Sequence, residues 1–383
     1  MIIPYGRQSI GADDIAAVEA VLRSDRLTQG PKVEEFEQAL AEYCGARFAV
    51  VTSSGTSALH TAYAAVGLSA GDEIISSPIT FPATTNAALW QGAKPVFVDV
   101  ESKTGNINVD LIKASITSKT KAIVPVDYTG RPVNLAAIKK LAQQHNLVVI
   151  EDACQALGAT YHGKKIGSIS DLTVFSFHPV KSITTGEGGA VLTDNENWYK
   201  KMKMFVTHGV TKAPDNLTIS SPGAWYFEMQ LLGNNYRLTD LQAALGISQL
   251  KKLDQFVARR RELVTRYSAA LADQAAIVTP PADSTSEESA WHLYVIQLQG
   301  KLSGQRAEMF KKLQESGVGV QVHHMLSYYH PYYQKLGYLR GACPRAEAWY
   351  ESIISLPLYP DLTLADQDYV IKTVKDFAES LQK

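Results

Sequence analysis

Apolar positions alternate between two patterns over roughly the first 200 residues. Ile15, Val18, Val21 and Leu22 share one face of a helical wheel, as do Val33, Phe36, Leu40 and Tyr43. Short apolar runs read as buried strands: Phe48–Val51, Glu73–Ile75, Pro95–Val98, Ala122–Val126 and Leu147–Ile150. Helical patterns such as Ser57–Val66 and Leu135–His145 lie between them. This interleaving predicts an α/β fold with a mainly parallel sheet covered by helices.

Further on, a helical pattern runs from Leu238 to about Tyr267, with Leu241, Leu245, Leu250, Leu253, Val257 and Val264 at its apolar positions. A domain boundary is expected inside it, giving a large domain over residues 1–250 and a smaller α+β domain over 251–383. The polar stretch Pro280–Glu288 leads into the smaller lobe. There His292–Leu298 reads as a strand, and the alternating Val318, Val320 and Val322 as a second. Tyr369, Val370, Val374, Phe377 and Leu381 predict a closing helix. Arg259–Arg261 reads as a solvated helix face.

Composition narrows the function classes. The 383 residues carry 37 Lys plus Arg against 38 Asp plus Glu, a formal net charge of -1. That lacks the basic excess of a nucleic-acid binder, so no such partner is expected. No run approaches the roughly 18 apolar residues of a membrane span. The opening has no apolar signal core, so secretion is not expected. Cys44, Cys154 and Cys343 form neither a disulfide framework nor a zinc pattern, which suits a reducing cytoplasm.

Four segments carry candidate chemistry, each where a strand gives way to a loop, the usual ligand edge of a parallel sheet. Ser53–Ala58 follows a strand and opens a helix; it is either a phosphate cradle or an ordinary Ser/Thr cap. Val148–Gln155 ends an apolar strand in Asp152, which reads as a metal ligand, a base, a partner for a protonated ring nitrogen, or a helix cap. Thr173–Lys181 delivers Lys181 past an apolar, aromatic strand. There desolvation would lower its pKa and suit it to Schiff-base chemistry, although a lone lysine is usually a surface residue. Thr184–Leu192 is glycine-rich without the spacing of a dinucleotide fingerprint or a P-loop. Phosphate cradle, carboxylate, lysine and glycine turn together match the needs of pyridoxal 5'-phosphate.

The motifs SSGTSAL (Ser53–Leu59), EDACQALG (Glu151–Gly158), FSFHPVK (Phe175–Lys181), TTGEGGAV (Thr184–Val191) and GNNYRLTDLQAALG (Gly233–Gly246) resemble those of the DegT/DnrJ/EryC1/StrS sugar aminotransferases. The resemblance runs nearly end to end and implies the fold type I architecture of aspartate aminotransferase. Within the family, IPYGRQ (Ile3–Gln8), SDRLTQGP (Ser24–Pro31) and QVHHMLSYYHPYY (Gln321–Tyr333) look most like the UDP-4-amino-4,6-dideoxy-N-acetyl-beta-L-altrosamine transaminases of pseudaminic acid formation.

By position, the resemblance implies that Lys181 is the Schiff-base lysine and acid/base, and that Asp152 partners the pyridine nitrogen. It implies that Gln155 contacts the 3-hydroxyl, and that Gly55, Thr56 and Ser176 hold the phosphate. Phe81 would stack on the ring, and Asn235 would reach the phosphate from the neighbouring subunit of a homodimer. Tyr5, Arg26, Thr28, His323 and His324 fall where substrate contacts are expected, with residues 1–30 forming a substrate segment. The His323–His324 pair lacks the further ligands of a metal site, and none is expected. Tyr328, Tyr329, Tyr332 and Tyr333 read mainly as ordinary packing. The expected activity is ping-pong amination, with an amino-acid donor such as glutamate, at C4 of a UDP-linked 4-keto-6-deoxy-N-acetylhexosamine. The alternatives are a TDP-3-keto or TDP-4-keto sugar, a dehydratase (which the presence of Lys181 disfavours), and a non-enzymatic sensor.

Overall fold

The computed structural model describes residues 2–220 and 222–380; Leu381, assigned by periodicity to the closing helix, lies outside the described residues. Two helices open the chain, α1 (Ala12–Leu22) and α2 (Pro31–Cys44). Proline starts α2, where its missing N–H satisfies nothing anyway, and Gly45 ends it at a φ of 75° that favours glycine. The alternation then follows: β1 (Phe48–Thr52), α3 (Gly55–Ala65), β2 (Glu73–Ser76), α4 (Ala83–Trp90), β3 (Lys94–Phe97), β4 (Thr120–Val124), α5 (Leu135–Gln144), β5 (Val148–Asp152), β6 (Leu172–Ser176), β7 (Gly189–Thr193) and α6 (Glu196–Phe205).

The strands form one sheet in the order β1-β7-β6-β5-β4-β2-β3. Only the two pairings made by β7 are antiparallel. Neighbouring residues in a strand enter opposite cores. Val51, Ile75, Val149, Phe175 and Leu192 pack in one cluster, and Val50, Ile74, Ile150, Val174 and Val191 in the other. Burial on both faces is why these strands are unbroken apolar runs rather than alternating ones. Among the described residues, no helix is long and apolar enough to cross a membrane.

The expected long helix is two, α7 (Asp240–Leu250) and α8 (Leu253–Leu271). The break carries no glycine or proline; instead Lys252 turns its ammonium onto α1, 2.5 Å from Asp14 Oδ2 and 2.9 Å from Asp13 Oδ2. Asp14 is buried and also accepts from Gln249 Nε2 and from the Gly11 N–H, each at 2.8 Å. The apolar stripe of α1 does not face the body of the chain: Val21 is buried, but Ile15 and Leu22 are exposed. A tertiary ion pair thus sets both the helix break and the seat of α1.

Beyond α8 lie β8 (Ile277–Val278), β9 (Tyr294–Leu298), α9 (Arg306–Glu315), β10 (Ile353–Leu356) and α10 (Leu364–Ser380). The strands make an antiparallel sheet, β8-β9-β10. Its core joins Val264 and Tyr267 of α8 to Ile296, Leu313, Ile354, Val370 and Phe377, and includes Ile3. The predicted strand at 318–322 is instead two isolated bridges, Ile3 to Val318 and Gln321 to Ser355. Val318 and Val320 are buried, so the alternation is real, but their partner is the distant N-terminal segment. By packing, Ile3 belongs with the smaller lobe.

Asp14→Ala is expected to destabilise the fold by about 2 kcal/mol. This is less than for a fully buried pair, because Lys252 keeps Asp13 as a partner. A lowered chemical-unfolding midpoint at fixed protein concentration checks it; an unchanged midpoint would mean that the pair does not seat α1.

Candidate active site

A cavity of about 700 Å³ opens at the carboxyl edge of the main sheet. Its wall draws on the ends of β4 (Val126), β5 (Asp152) and β6 (Ser176), on the start of α3, and on Gln321–His324 from the small lobe. Ten of the residues singled out in the sequence line it: Tyr5, Gly55, Thr56, Phe81, Asp152, Gln155, Ser176, Lys181, His323 and His324. Arg26, Thr28 and Asn235 do not. All three are exposed, with Thr28 bridging to Thr239 and Asn235 to Thr207.

The start of α3 serves both purposes left open by the sequence. Ser54 is its cap, accepting the Ser57 N–H at 3.1 Å. Gly55 and Thr56, in the first turn, have N–H groups that no helical carbonyl can satisfy, and both face the cavity. A Cβ at Gly55 would sit 2.8 Å from Ser176 Cβ, so glycine is what lets this turn meet the end of β6. The resulting small concavity of N–H and hydroxyl donors fits a phosphate.

Asp152 is 4 % exposed, and its two oxygens are separately held. Oδ1 accepts the Cys154 N–H at 3.2 Å, and Oδ2 accepts the Thr84 hydroxyl at 2.6 Å. Thr84 Oγ1 lies 2.7 Å from Thr80 Oγ1. Because the single Thr84 proton goes to the carboxylate, Thr80 must be the donor to Thr84. Tyr63 OH donates to the Thr84 carbonyl and anchors the helix start. Thr80 and Thr84 were missed by sequence reading, because nothing in TFPATT marks one hydroxyl for a carboxylate on another strand.

Lys181 follows β6 in a tight turn, its N–H donating to the His178 carbonyl at 2.9 Å. Burial pushes its amine below the ordinary lysine range, against the opposing pull of Cys154 and Asp152. Three imidazoles, those of His292, His323 and His324, line its cavity alongside the exposed His178. Burial holds His323 down to about 4, and His292 and His324 well below the usual histidine range, with the Lys181 charge acting in the same direction. All three are therefore neutral at physiological pH. Gln155 Oε1 accepts the Thr129 N–H at 2.8 Å, and its Nε2 lies 3.3 Å from His324 Nε2. With its carbonyl so committed, the amide presents its donor side to the cavity. Phe81 meets His324 edge-on at 6.1 Å, and Tyr5 meets His323 at 5.3 Å. His292 also escaped the sequence reading, inside a stretch taken only as a strand. Tyr328 and Tyr333 are buried core residues, and Tyr332 is exposed. No group of three or more His, Cys, Asp or Glu side chains among the described residues could hold a metal ion.

Comparison with known proteins agrees with this geometry. The DegT/DnrJ/EryC1/StrS aminotransferase family matches residues 8–375. The chain is 42% identical over 380 residues to the spore coat polysaccharide biosynthesis protein SpsC of Bacillus subtilis, covering 98% of this chain and 97% of that one. It is 39% identical over 386 residues to a UDP-4-amino-4,6-dideoxy-N-acetyl-beta-L-altrosamine transaminase of Campylobacter jejuni, covering 100% and 99%. Among solved structures, Helicobacter pylori PseC, an aminotransferase involved in the biosynthesis of pseudoaminic acid, superposes with a TM-score of 0.93 at 35% identity, over 99% of this chain and 100% of that one. Aminotransferases of this family use pyridoxal 5'-phosphate.

Lys181→Ala is expected to abolish transamination while the aminated cofactor, pyridoxamine phosphate, is still retained; turnover near the wild-type rate would place the covalent role elsewhere. Asp152→Asn should cut kcat by about 10²-fold or more. Thr84→Val, which removes one hydrogen bond to that buried carboxylate, should cost about tenfold or more. Steady-state kinetics at saturating cofactor measures both, and an unimpaired Thr84→Val enzyme would show that Asp152 needs no hydroxyl.

Proposed function

The chain belongs to the DegT/DnrJ/EryC1/StrS aminotransferase family and is a pyridoxal-phosphate-dependent sugar aminotransferase. From that premise we propose that it aminates C4 of a UDP-linked 4-keto-6-deoxy-N-acetylhexosamine, with glutamate as the amino donor. The observation that carries the chemistry is the convergence of Lys181, Asp152 and the Gly55–Thr56–Ser176 concavity on one cavity. The names of the Campylobacter transaminase and of PseC support the choice of sugar. The 42% identity to SpsC, whose name specifies only spore coat polysaccharide, favours as second reading another sugar nucleotide or ring position.

When bound, the cofactor supplies an aldehyde that exchanges nitrogen with the substrates and a ring that accepts an electron pair. The residues of this chain divide the remaining work. Lys181 Nζ, made a better nucleophile by burial, provides the covalent anchor and carries a proton to and from the reacting carbon. Asp152 holds a proton on the ring nitrogen, its orientation fixed by Thr84 and Cys154. Gln155 Nε2 would donate to the ring hydroxyl oxygen, Gly55, Thr56 and Ser176 would hold the phosphate, and Phe81 would cover the ring. Tyr5, His323 and His324 would meet the sugar nucleotide, and Arg26 and Thr28, which lie outside the cavity of one chain, would reach it only from a second copy.

Asn235 enters this scheme only from a second copy, so the reading includes a C2 homodimer with shared sites. The exposed apolar residues Trp225, Phe227, Met229 and Leu232, just before the Gly233–Arg237 segment, support that interface. A cytoplasmic setting accords with the free thiols of Cys44, Cys154 and Cys343.

A panel of UDP- and TDP-linked 3-keto and 4-keto sugars, with glutamate as donor and product structure read by NMR, tests the substrate. Comparable efficiency with a TDP-3-keto sugar would overturn the substrate but not the chemistry. Mixed dimers of Lys181→Ala and Asn235→Asp, each inactive alone, are expected to regain about a quarter of wild-type activity, since half the dimers are mixed and half of their sites are intact. No recovery in demonstrated mixed dimers would rule out sharing.

A further inference from the structure

Beneath the cofactor edge, on the sheet face opposite Asp152, two carboxyl groups are buried together. Asp127 and Glu151 are both 0 % exposed. One oxygen of each is satisfied: Asp127 Oδ1 accepts the Val133 N–H, and Glu151 Oε2 accepts the Thr173 hydroxyl, both at 3.0 Å. The other two, Asp127 Oδ2 and Glu151 Oε1, have no close hydrogen-bond partner, and the buried Ser170 hydroxyl, also without one, lies beside Glu151. The two side chains lie within hydrogen-bonding reach of each other. Two facing carboxylate oxygens away from water repel unless a proton stands between them. Glu151 has the Thr173 and Ser170 hydroxyls and the Lys139 charge beside it, whereas Asp127 has the Val133 N–H, which makes Glu151 the carboxylate and Asp127 the acid.

Asp127 also begins a loop that reaches the active site through several contacts, while Asn106 holds its outer side, accepting the Tyr128 N–H at 3.0 Å and donating to the Arg131 carbonyl at 3.1 Å. The Asp127 N–H donates to the Asp152 carbonyl at 3.1 Å, and its Oδ1 closes the loop on Val133. Between them, the Tyr128 hydroxyl donates to the His323 carbonyl, and the Thr129 N–H donates to Gln155 Oε1. The Thr129 carbonyl accepts the His292 N–H at 2.9 Å. Thr129 sits at a φ of 62°, a left-handed conformation unfavourable for a β-branched residue, so this loop holds its shape only if fastened.

We propose that Asp127 is a protonated positioning residue, its Oδ2 donating to Glu151 Oε1, and that this bond fastens the 127–133 loop in the conformation that aims the Gln155 amide and sets the His292 and His323 wall of the cavity. Burial together with the Glu151 and Asp152 charges drives the Asp127 carboxyl far above the ordinary aspartate range. Burial raises the Glu151 carboxyl too, opposed by the bonds from Asp127, Ser170 and Thr173 and by the Lys139 charge, and the Cys44 thiol, pushed up to about 12, is neutral beside it. The part of the proposal that concerns function rests on the reading of Gln155 as a cofactor contact.

A folded-state carboxyl raised in this way favours the fold fully below the pKa of the unfolded side chain, and that advantage is lost as pH rises toward the folded value. Asp127→Asn imitates the protonated acid, donating from Nδ2 with nothing to titrate; Asp127→Ala removes the fastening. On the purified full-length chain, denaturant unfolding should show the wild-type unfolding constant rising relative to Asp127→Asn, by up to about tenfold per pH unit, as pH rises above the ordinary aspartate range. Parallel curves would overturn the protonation. In a second measurement, the Kd for pyridoxamine phosphate should rise about tenfold or more in Asp127→Ala and stay within about threefold in Asp127→Asn. Wild-type affinity in Asp127→Ala, or equal damage in both variants, would overturn the positioning role. Neither readout involves a sugar, so both stand or fall apart from the proposed substrate. If Asp127→Ala does not fold, the pH comparison of Asp127→Asn with wild type still decides the protonation, and a Kd for pyridoxamine phosphate more than about tenfold weaker in Asp127→Asn would still overturn the positioning role.

Discussion

Asp152 is a carboxylate almost cut off from water, and removing such a group from solvent is tolerable only if protein donors replace the lost hydration. Here the replacements are the Cys154 N–H, in the same turn, and the Thr84 hydroxyl, which comes from another layer of the sheet's surroundings. That second donor constrains a good deal of structure. Thr84 must stand at the start of α4, α4 must enter above β5, and Tyr63 of α3 must hold the Thr84 carbonyl. The wall of the site is therefore assembled around the solvation of one charge, and the helices over β5 sit where their polar groups can reach it.

The same reasoning explains the electrostatic character of the opposite wall. In the proposed scheme Lys181 reacts as a neutral amine, which its own burial favours, and the three imidazoles of His292, His323 and His324 beside it carry no charge either. Their burial keeps them neutral, so the wall offers hydrogen-bonding edges without adding a field that competes with Asp152. Polar groups here are arranged by direction more than by charge, which suits recognition of hydroxyl-rich ligands.

How much of this was legible in the sequence follows from what each feature depends on. Strands buried on both faces announce themselves as apolar runs, and residues at their ends, such as Asp152 and Lys181, inherit their position from the strand. Gly55 was legible for a similar reason: a strand followed by small residues and a helix admits few geometries. Features that depend on tertiary partners left no local trace. The break between α7 and α8 coincides with an ion pair to α1, Val318 pairs with Ile3 and Gln321 with Ser355 where a continuous strand was expected, and Thr84 matters only because β5 ends beneath it. Arg26, Thr28 and Asn235 stand outside the cavity, because resemblance carries over position along a chain but not the surroundings a surface loop meets.

The bridge between Ile3 and Val318 has a bearing on how the chain is made. Roughly 300 residues separate these two partners, so at about 5–20 residues per second a ribosome delivers Val318 about 15 to 60 s after Ile3. Throughout that interval the apolar start of the chain has no core of its own to enter, while the main sheet can already condense from segments close in sequence. The smaller lobe therefore closes last during synthesis, and the edge that Ile3 completes is the one a nascent chain must keep from pairing with a stranger.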